Sequence, residues 1–238
     1  MKPVVQLAQA PMINGHDLFL HEHDGSYYLK TNLNNVASTF ANKTAQVLAE
    51  LACAPITQAK QPKVFFLGLG LGNAVAAVGK FLPQKGGKWF VYEPSQDLVD
   101  WHGRFLPESV LNSDPRIELL DANKSIFQAL VQPSQPKHHA VVIDYHAIET
   151  FDSYFEVEDE SLLQVISDSL ISGGILAILV PRVDKNLTKA LQRCGFSIAI
   201  EKAPLSEKSS RCDSVVLAIK GRYEKKSNSR PNRGRSRN

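Results

Sequence analysis

Apolar residues keep two different rhythms along this chain. In the first sixty residues they alternate with polar ones or recur at helical spacing. Asp17 to Thr31 reads as a β-hairpin: Leu18-Phe19-Leu20 and Tyr27-Tyr28-Leu29 are strand-like, and Asp24-Gly25 is a favoured turn pair between them. Val36, Phe40, Val47, Leu48 and Leu51 then predict an amphipathic helix over Val36–Ala52, and Ala54 to Pro62 reads as a linker. From Lys63 onward, short unbroken apolar runs take turns with amphipathic stretches. The runs are Val64–Leu67, Trp89–Tyr92, Ala140–Ile143 and Ile175–Val180, with Ile117-Glu118-Leu119-Leu120 a shorter strand between them; a continuous apolar run such as Val64–Leu67 fits a strand buried on both faces. Helices are predicted over Asn73–Leu82, Ser95–Phe105, Ser125–Leu130, Asp159–Leu170 and Lys185–Arg193.

The alternation breaks at the end. Phe196–Ile200 and Ser214–Ile219 are strand-like with only a polar loop, Ser206 to Asp213, between them. That predicts an antiparallel pair closing the sheet. The expected fold is therefore α/β and Rossmann-like: a mostly parallel seven-stranded sheet with a C-terminal antiparallel hairpin, preceded by a small N-terminal β-hairpin and helix. Residues 1–62 form the N-terminal element, 63–220 the main domain and 221–238 a tail.

Composition changes this picture in one place. The net charge of +3 over 238 residues hides a division: from Gly221 onward the chain carries seven Lys or Arg and one Glu, leaving 20 basic against 23 acidic residues before it. The tail offers almost nothing to bury and is expected to be disordered. Its Arg-Gly-Arg-Ser-Arg end suits weak contact with RNA or another polyanion, or it simply aids solubility. No stretch of about 18 apolar residues predicts a membrane span. The start does not read as a secretory signal, and Cys53, Cys194 and Cys212 are scattered, so a reducing cytoplasm is expected. No metal-ligand spacing is present. His21 and His23 share a strand face but have no third ligand, and His138-His139 is expected in a loop.

Four places can carry chemistry. The first is Gly68-Leu69-Gly70-Leu71-Gly72 between a predicted strand and helix. Glycines there allow a tight turn and close approach to a ligand, beside the free N–H groups of a helix start. Asn73 stands where a dinucleotide motif has its third glycine, which tilts away from NAD. The second is Glu93, expected as an exposed carboxylate at the end of the next strand, where it can accept both hydroxyls of a ribose. The third is Asp121-Ala122 after the third strand: Asp121 can accept from an adenine amino group or cap the following helix. The fourth is Asp144, closing the fourth strand at the edge where open α/β sheets bind ligands. A carboxylate there can orient or deprotonate an acceptor, with Tyr145 and His146 lining its pocket; the alternative is a structural cap.

These residues carry a resemblance. Phe65–Gly72, Val91-Tyr92-Glu93-Pro94, Asp114-Pro115-Arg116-Ile117, Asp121-Ala122, Val142-Ile143-Asp144 and Ser172–Leu176 stand in the order found in spermidine synthases. The chain resembles still more the spermidine synthase-like branch of class I S-adenosylmethionine-dependent methyltransferases, over roughly Lys63–Val180. The resemblance implies S-adenosylmethionine, or its decarboxylated form, as cofactor. It implies binding by Gly68, Leu69, Gly70, Gly72, Glu93, Asp121 and Ala122, and Asp144 as general base. The departures weigh on the reaction. Aminopropyltransferases carry an Asp inside the glycine turn, which would repel a donor that kept its carboxylate; here it is Leu71. Their second Asp after the base is Ala147 here, followed by Ile148. A diamine needs such carboxylates, and losing two should cost a few kcal/mol, on the order of one charge-assisted bond each. The family's Asp-Glu…Tyr-His-Glu run is echoed only by His21-Glu22-His23.

The sequence thus points first to methyl transfer from intact S-adenosylmethionine to a small-molecule acceptor. Behind it stand an aminopropyltransferase, a non-catalytic nucleoside-binding or scaffold protein, and, more distantly, an NAD-dependent oxidoreductase. A homodimer is an arrangement open to it.

Overall fold

The computed structural model describes residues 3–11, 16–32, 35–40, 42–131, 137–148, 157–206 and 209–221. The tail prediction lies outside the described residues. The N-terminal element is larger than a hairpin. β2 (Asp17–His23) and β3 (Ser26–Thr31) pair through the expected turn, with Asp24 and Gly25 at positive φ. β1 (Val5–Pro11) and β4 (Asn35–Ser38) flank them, giving a four-stranded antiparallel sheet in sequence order. The helix predicted from Val36 accordingly begins later, as α1 (Lys43–Cys53). Val36 is buried in the edge strand and Phe40 stands exposed, and Thr39 donates its N–H to the Tyr27 carbonyl. Pairing with β3 overrides the helical spacing of that segment. The expected linker contains a 3₁₀ turn, Ala54–Ile56, with Ile56 buried.

The main sheet is built on β5 (Lys63–Leu67), which runs parallel to β6 (Lys88–Tyr92) on one side and β8 (His138–Asp144) on the other. With β7 (Ile117–Leu119), β9 (Leu170–Val180), β10 (Phe196–Pro204) and β11 (Cys212–Lys220), the order is β10-β11-β9-β8-β5-β6-β7. β11 is antiparallel to both β9 and β10. The chain grows outward from β5 in one direction, then returns to grow in the other. That reversal between β5 and β8 opens a crevice at the C-terminal edge of the sheet.

Strand alternation divides the core. Phe65, Leu67, Val141 and Ile143 face α7 (Glu160–Ser169) and α8 (Lys185–Arg193), whereas Val64, Phe66, Trp89 and Val142 pack with α1 and α2 (Asn73–Phe81). A third cluster joins the N-terminal sheet (Leu18, Leu20, Leu29) to Leu98 and Trp101 of α3 (Gln96–Arg104) and to Leu71 of the glycine turn. His138 belongs to β8 and not to a loop: it is 1 % exposed, between the rings of Phe65 and Phe90. The short α4 (Val110–Ser113), α5 (Ile126–Leu130) and α6 (Tyr145–Ile148) complete the described helices.

Candidate functional site

The glycine turn leads from β5 into α2. Gly68, Gly70 and Gly72 have φ of 91°, 51° and 79°, values that side chains beyond hydrogen tolerate poorly. Space is as restrictive as conformation. A Cβ on Gly72 would lie 2.6 Å from Val110 Cγ1, and one on Gly70 would lie 3.1 Å from Ala147 Cβ. His102, fully buried on α3, braces the turn: Nε2 lies 2.8 Å from the Gly70 carbonyl and Nδ1 2.9 Å from Ser109 Oγ. The carbonyl can only accept, so Nε2 carries the proton and Nδ1 accepts from the Ser109 hydroxyl. Burial holds the imidazole below its usual pKa, against the pull of the Gly70 carbonyl.

Glu93 follows β6 and is 1 % exposed, contrary to the exposed carboxylate expected there. Its Oε2 accepts the Leu69 N–H at 2.9 Å and its Oε1 the Ser95 N–H at 3.0 Å. Burial pushes its pKa up to about 7, opposed by those backbone donors and by the Gly70 N–H. The carboxylate is thus a brace between β6 and the turn, its two oxygens serving three backbone N–H groups.

Asp121 lies exposed after β7 and accepts from the N–H and side-chain amide of Asn123, both at 3.0 Å; these bonds hold its carboxyl below the usual range. It does not cap the next helix, because Ser125 does so in a reciprocal capping box with Gln128. Ala122 is half-buried beside it.

Asp144 ends β8 with its carboxyl enclosed, although the residue as a whole is half-buried. Burial raises its pKa; the nearby His146 and the N–H groups of His146 and Ala147 lower it. Oδ1 accepts the His146 N–H at 3.1 Å, so the carboxylate caps the start of α6. His146 Nε2 donates to Asp213 Oδ2 at 3.1 Å, across 67 positions of sequence. Asp213, at the start of β11, is 7 % exposed. Two carboxylates and an imidazole thus meet at the C-terminal edge of the sheet. Beside them a cavity of about 300 Å³ is lined by Tyr145, Val157, Val180 and Leu187, with Glu158, Arg182 and Asp184 also on its wall.

Gly68, Leu69, Gly70, Gly72, Glu93 and the Asp144–His146 stretch therefore lie about the crevice, whereas Asp121 faces solvent and Ala122 stands beside it. Yet the crevice is closed. All five residues 68–72 are buried, with Ala147 of α6 against Gly70 on one side, Leu71 sunk among the apolar residues under the N-terminal sheet, and Val110 against Gly72. A larger groove, about 980 Å³, runs past Leu71 and Gly72 along α2 to Arg116. Among the described residues no group of three His, Cys, Asp or Glu, the Asp144–His146–Asp213 group included, is placed to hold a metal ion, and no helix is long and apolar enough to cross a membrane.

Asp213 and His102 had no motif to announce them. His102 could have been read from its i+4 spacing to Leu98 on a buried helical face; Asp213 depends on a contact between distant segments. The Asp-Pro-Arg stretch serves the fold. Arg116 pairs with Asp114 at 2.6 Å, donates to the carbonyls of Gly79 and Leu82 at the end of α2, and lies 4.8 Å from the Trp89 ring.

No family model and no curated protein matches the sequence. Solved structures match its fold. Spermidine synthase from Thermotoga maritima superposes with a TM-score of 0.69 at 15% identity, over 91% of this chain and 73% of that one. A probable spermidine synthase from Corynebacterium glutamicum gives 0.62 at 11% identity, over 96% and 84%. An O-methyltransferase family protein from Burkholderia thailandensis gives 0.55 at 13% identity, over 78% and 57%. Together with the observed strand order, these likenesses show that the chain has the Rossmann-like fold shared by spermidine synthases and class I methyltransferases.

Proposed function

We propose that the chain is an S-adenosylmethionine-dependent transferase that moves a methyl group to a small-molecule acceptor. The observation that carries this reading is the bonding of the Glu93 carboxylate to the glycine turn, at the point where strand order reverses. Acidic acceptor and turn share one crevice edge, and the acceptor position that the three backbone donors leave on Glu93 suits a ribose hydroxyl. The sulfonium of the donor supplies an already activated methyl group. The protein's part is to position donor and acceptor. Leu71, apolar and buried, leaves no carboxylate in the turn to repel the donor's own. In this reading Asp144 and His146 face the acceptor, which occupies the cavity beside Tyr145.

Methyl is favoured over aminopropyl because most carboxylates about the cavity are already engaged. Asp144 caps α6, Asp213 holds His146 and Asp184 caps α8, which leaves a dicationic amine Glu158 and no second carboxylate to pair with it. A non-catalytic role is the second reading, favoured by the complete burial of residues 68–72.

Calorimetry with S-adenosylmethionine, its decarboxylated form and NAD tests these readings. Intact S-adenosylmethionine is expected to bind at least as tightly as the decarboxylated donor, and NAD not at all. Strong preference for the decarboxylated donor would promote aminopropyl transfer. Absence of any nucleoside binding, together with an opened crevice, would leave the non-catalytic role.

A further inference from the structure

We infer that the cavity beside Tyr145 takes a zwitterion the size of a single amino acid: its carboxylate pairs with Arg182, its ammonium with Glu158, and its apolar body fills the floor. That this ligand is the acceptor rests on the transferase reading above; the pairing rests on the charges and shape of the cavity alone.

The cavity has an apolar floor and a charged rim. Val157, Val180 and Leu187 are each 5 % exposed or less and belong to the core that α7 and α8 cover. Arg182, by contrast, is exposed, and Glu158 is half-buried. A volume of about 300 Å³ holds about ten waters at roughly 30 Å³ each, room for one amino acid but not for a chain of them. An amino acid with an apolar side chain is amphipathic in the same sense as the cavity, apolar at one end and doubly charged at the other.

Three charged groups stand on the wall. Asp184 is committed to α8, where it accepts the Asn186 N–H at 2.6 Å. The other two are uncommitted. Among the described residues neither the Glu158 nor the Arg182 side chain has a hydrogen-bond or ion-pair partner, and they do not pair with each other. Opposite charges held apart on one wall match a molecule that carries both. The guanidinium fork accepts a carboxylate in a bidentate pair, and the Glu158 carboxylate takes an ammonium. Other classes fit worse. A diamine meets Glu158 with one end and a like charge with the other. A purely apolar ligand covers both charges and pairs neither, which costs free energy.

The sheet keeps this cavity apart from the ribose end of a donor. Arg182 follows β9, and Tyr145 follows β8. In the order β9-β8-β5-β6, the glycine turn after β5 is two strands from Arg182, about 10 Å at roughly 4.8 Å per strand, and Glu93 is three. Arg182 is therefore placed to read the second ligand of the crevice.

Calorimetry on the full chain, with and without S-adenosylmethionine, tests the inference. The probes are L-leucine, L-methionine and L-phenylalanine, each beside its amide, which lacks the carboxylate, and its des-amino acid, which lacks the ammonium; putrescine serves as the dication. At least one amino acid should bind about tenfold or more tightly than both of its truncated forms. Arg182→Gln should weaken that amino acid and its des-amino acid about tenfold and leave the amide unchanged. Glu158→Gln should weaken the amino acid and the amide and spare the des-amino acid. A variant that merely disturbs the fold would weaken all three alike. No preference for any amino acid over its truncated forms, tighter binding of putrescine, or equal weakening of all three ligands overturns the inference. The crossed pattern with no binding of S-adenosylmethionine supports the zwitterion and overturns the transferase reading. Binding of S-adenosylmethionine with no amino-acid preference does the reverse.

Discussion

Replacing Glu93 by Gln separates a carboxylate that binds a ligand from one that braces a turn, and the structure gives the size of the effect. Glu93 is enclosed, and its pKa stands at about 7 against an ordinary 4.5. A folded-state pKa above the unfolded value means that the folded protein holds the proton more tightly. Glu93 therefore contributes stability that is fully present below 4.5 and lost as pH rises through about 7. At roughly 1.36 kcal/mol per pH unit the loss amounts to about 3 kcal/mol, of which ~2.5 kcal/mol falls between about pH 5 and pH 8. Gln has nearly the shape of the protonated acid and does not titrate. Near pH 5 the variant should be less stable than the parent by about 1–2 kcal/mol, since both oxygens of the protonated acid still accept a backbone N–H whereas the amide NH2 faces one it cannot accept from. Near pH 8 it should gain about 2–3 kcal/mol relative to the parent. Urea unfolding of both proteins across this range measures the difference directly. A gap that stays constant with pH would refute the buried, proton-binding Glu93. In the donor reading the same variant should bind S-adenosylmethionine about tenfold more weakly near pH 8, because a charged acceptor is replaced by an amide.

Three further outcomes follow from the packing. His138 is held down to about 4 from 6.5, chiefly by burial and also by His139 and Lys63; its neutral form stabilises the fold above 6.5, and that contribution is lost as pH falls towards 4. His138→Phe should therefore remove an acid-side loss of about 3 kcal/mol in urea unfolding, the opposite tilt to Glu93→Gln. Arg116→Ala leaves Asp114 half-paired and the end of α2 uncapped, and should lower stability by about 3 kcal/mol with donor affinity unchanged. His102→Phe strands the Gly70 carbonyl and the Ser109 hydroxyl; a loss of about 2–3 kcal/mol in chemical denaturation is expected, with faster exchange of the turn amides.

The inner strands β5, β6, β8 and β9 of the main sheet were legible because they are buried on both faces and read as apolar runs, whereas the edge strand β7 is largely exposed and broken by Glu118. Phe65 to Leu67 and Val141 to Ile143 need no partner to be recognised. The antiparallel finish was legible from the short loop before β11. The N-terminal sheet was only half legible: β2 and β3 announce themselves by a turn pair, whereas β4 carries helical spacing and becomes a strand only by pairing with β3. The candidate site divides in the same way. Turn glycines and strand-end carboxylates follow from position along a strand. The states of those groups, buried for Glu93 and exposed for Asp121, depend on what folds over them. Asp213 and Ala147 act across distances in sequence that no local pattern encodes.

A motif of this kind has two tasks, and the structure separates them. Three of the elements the sequence singled out already have a use in the fold: Glu93 braces the turn, Asp144 caps α6, and Leu71 fills the cluster beneath the N-terminal sheet. Those uses alone would account for the residue types. They also fix what a ligand would meet. Glu93 already serves the N–H groups of Leu69, Ser95 and Gly70, so three of a carboxylate's roughly four acceptor positions are taken before a hydroxyl arrives. Those bonds hold β6 to the turn with or without a ligand, and a donor bound there would add to the brace and not replace it.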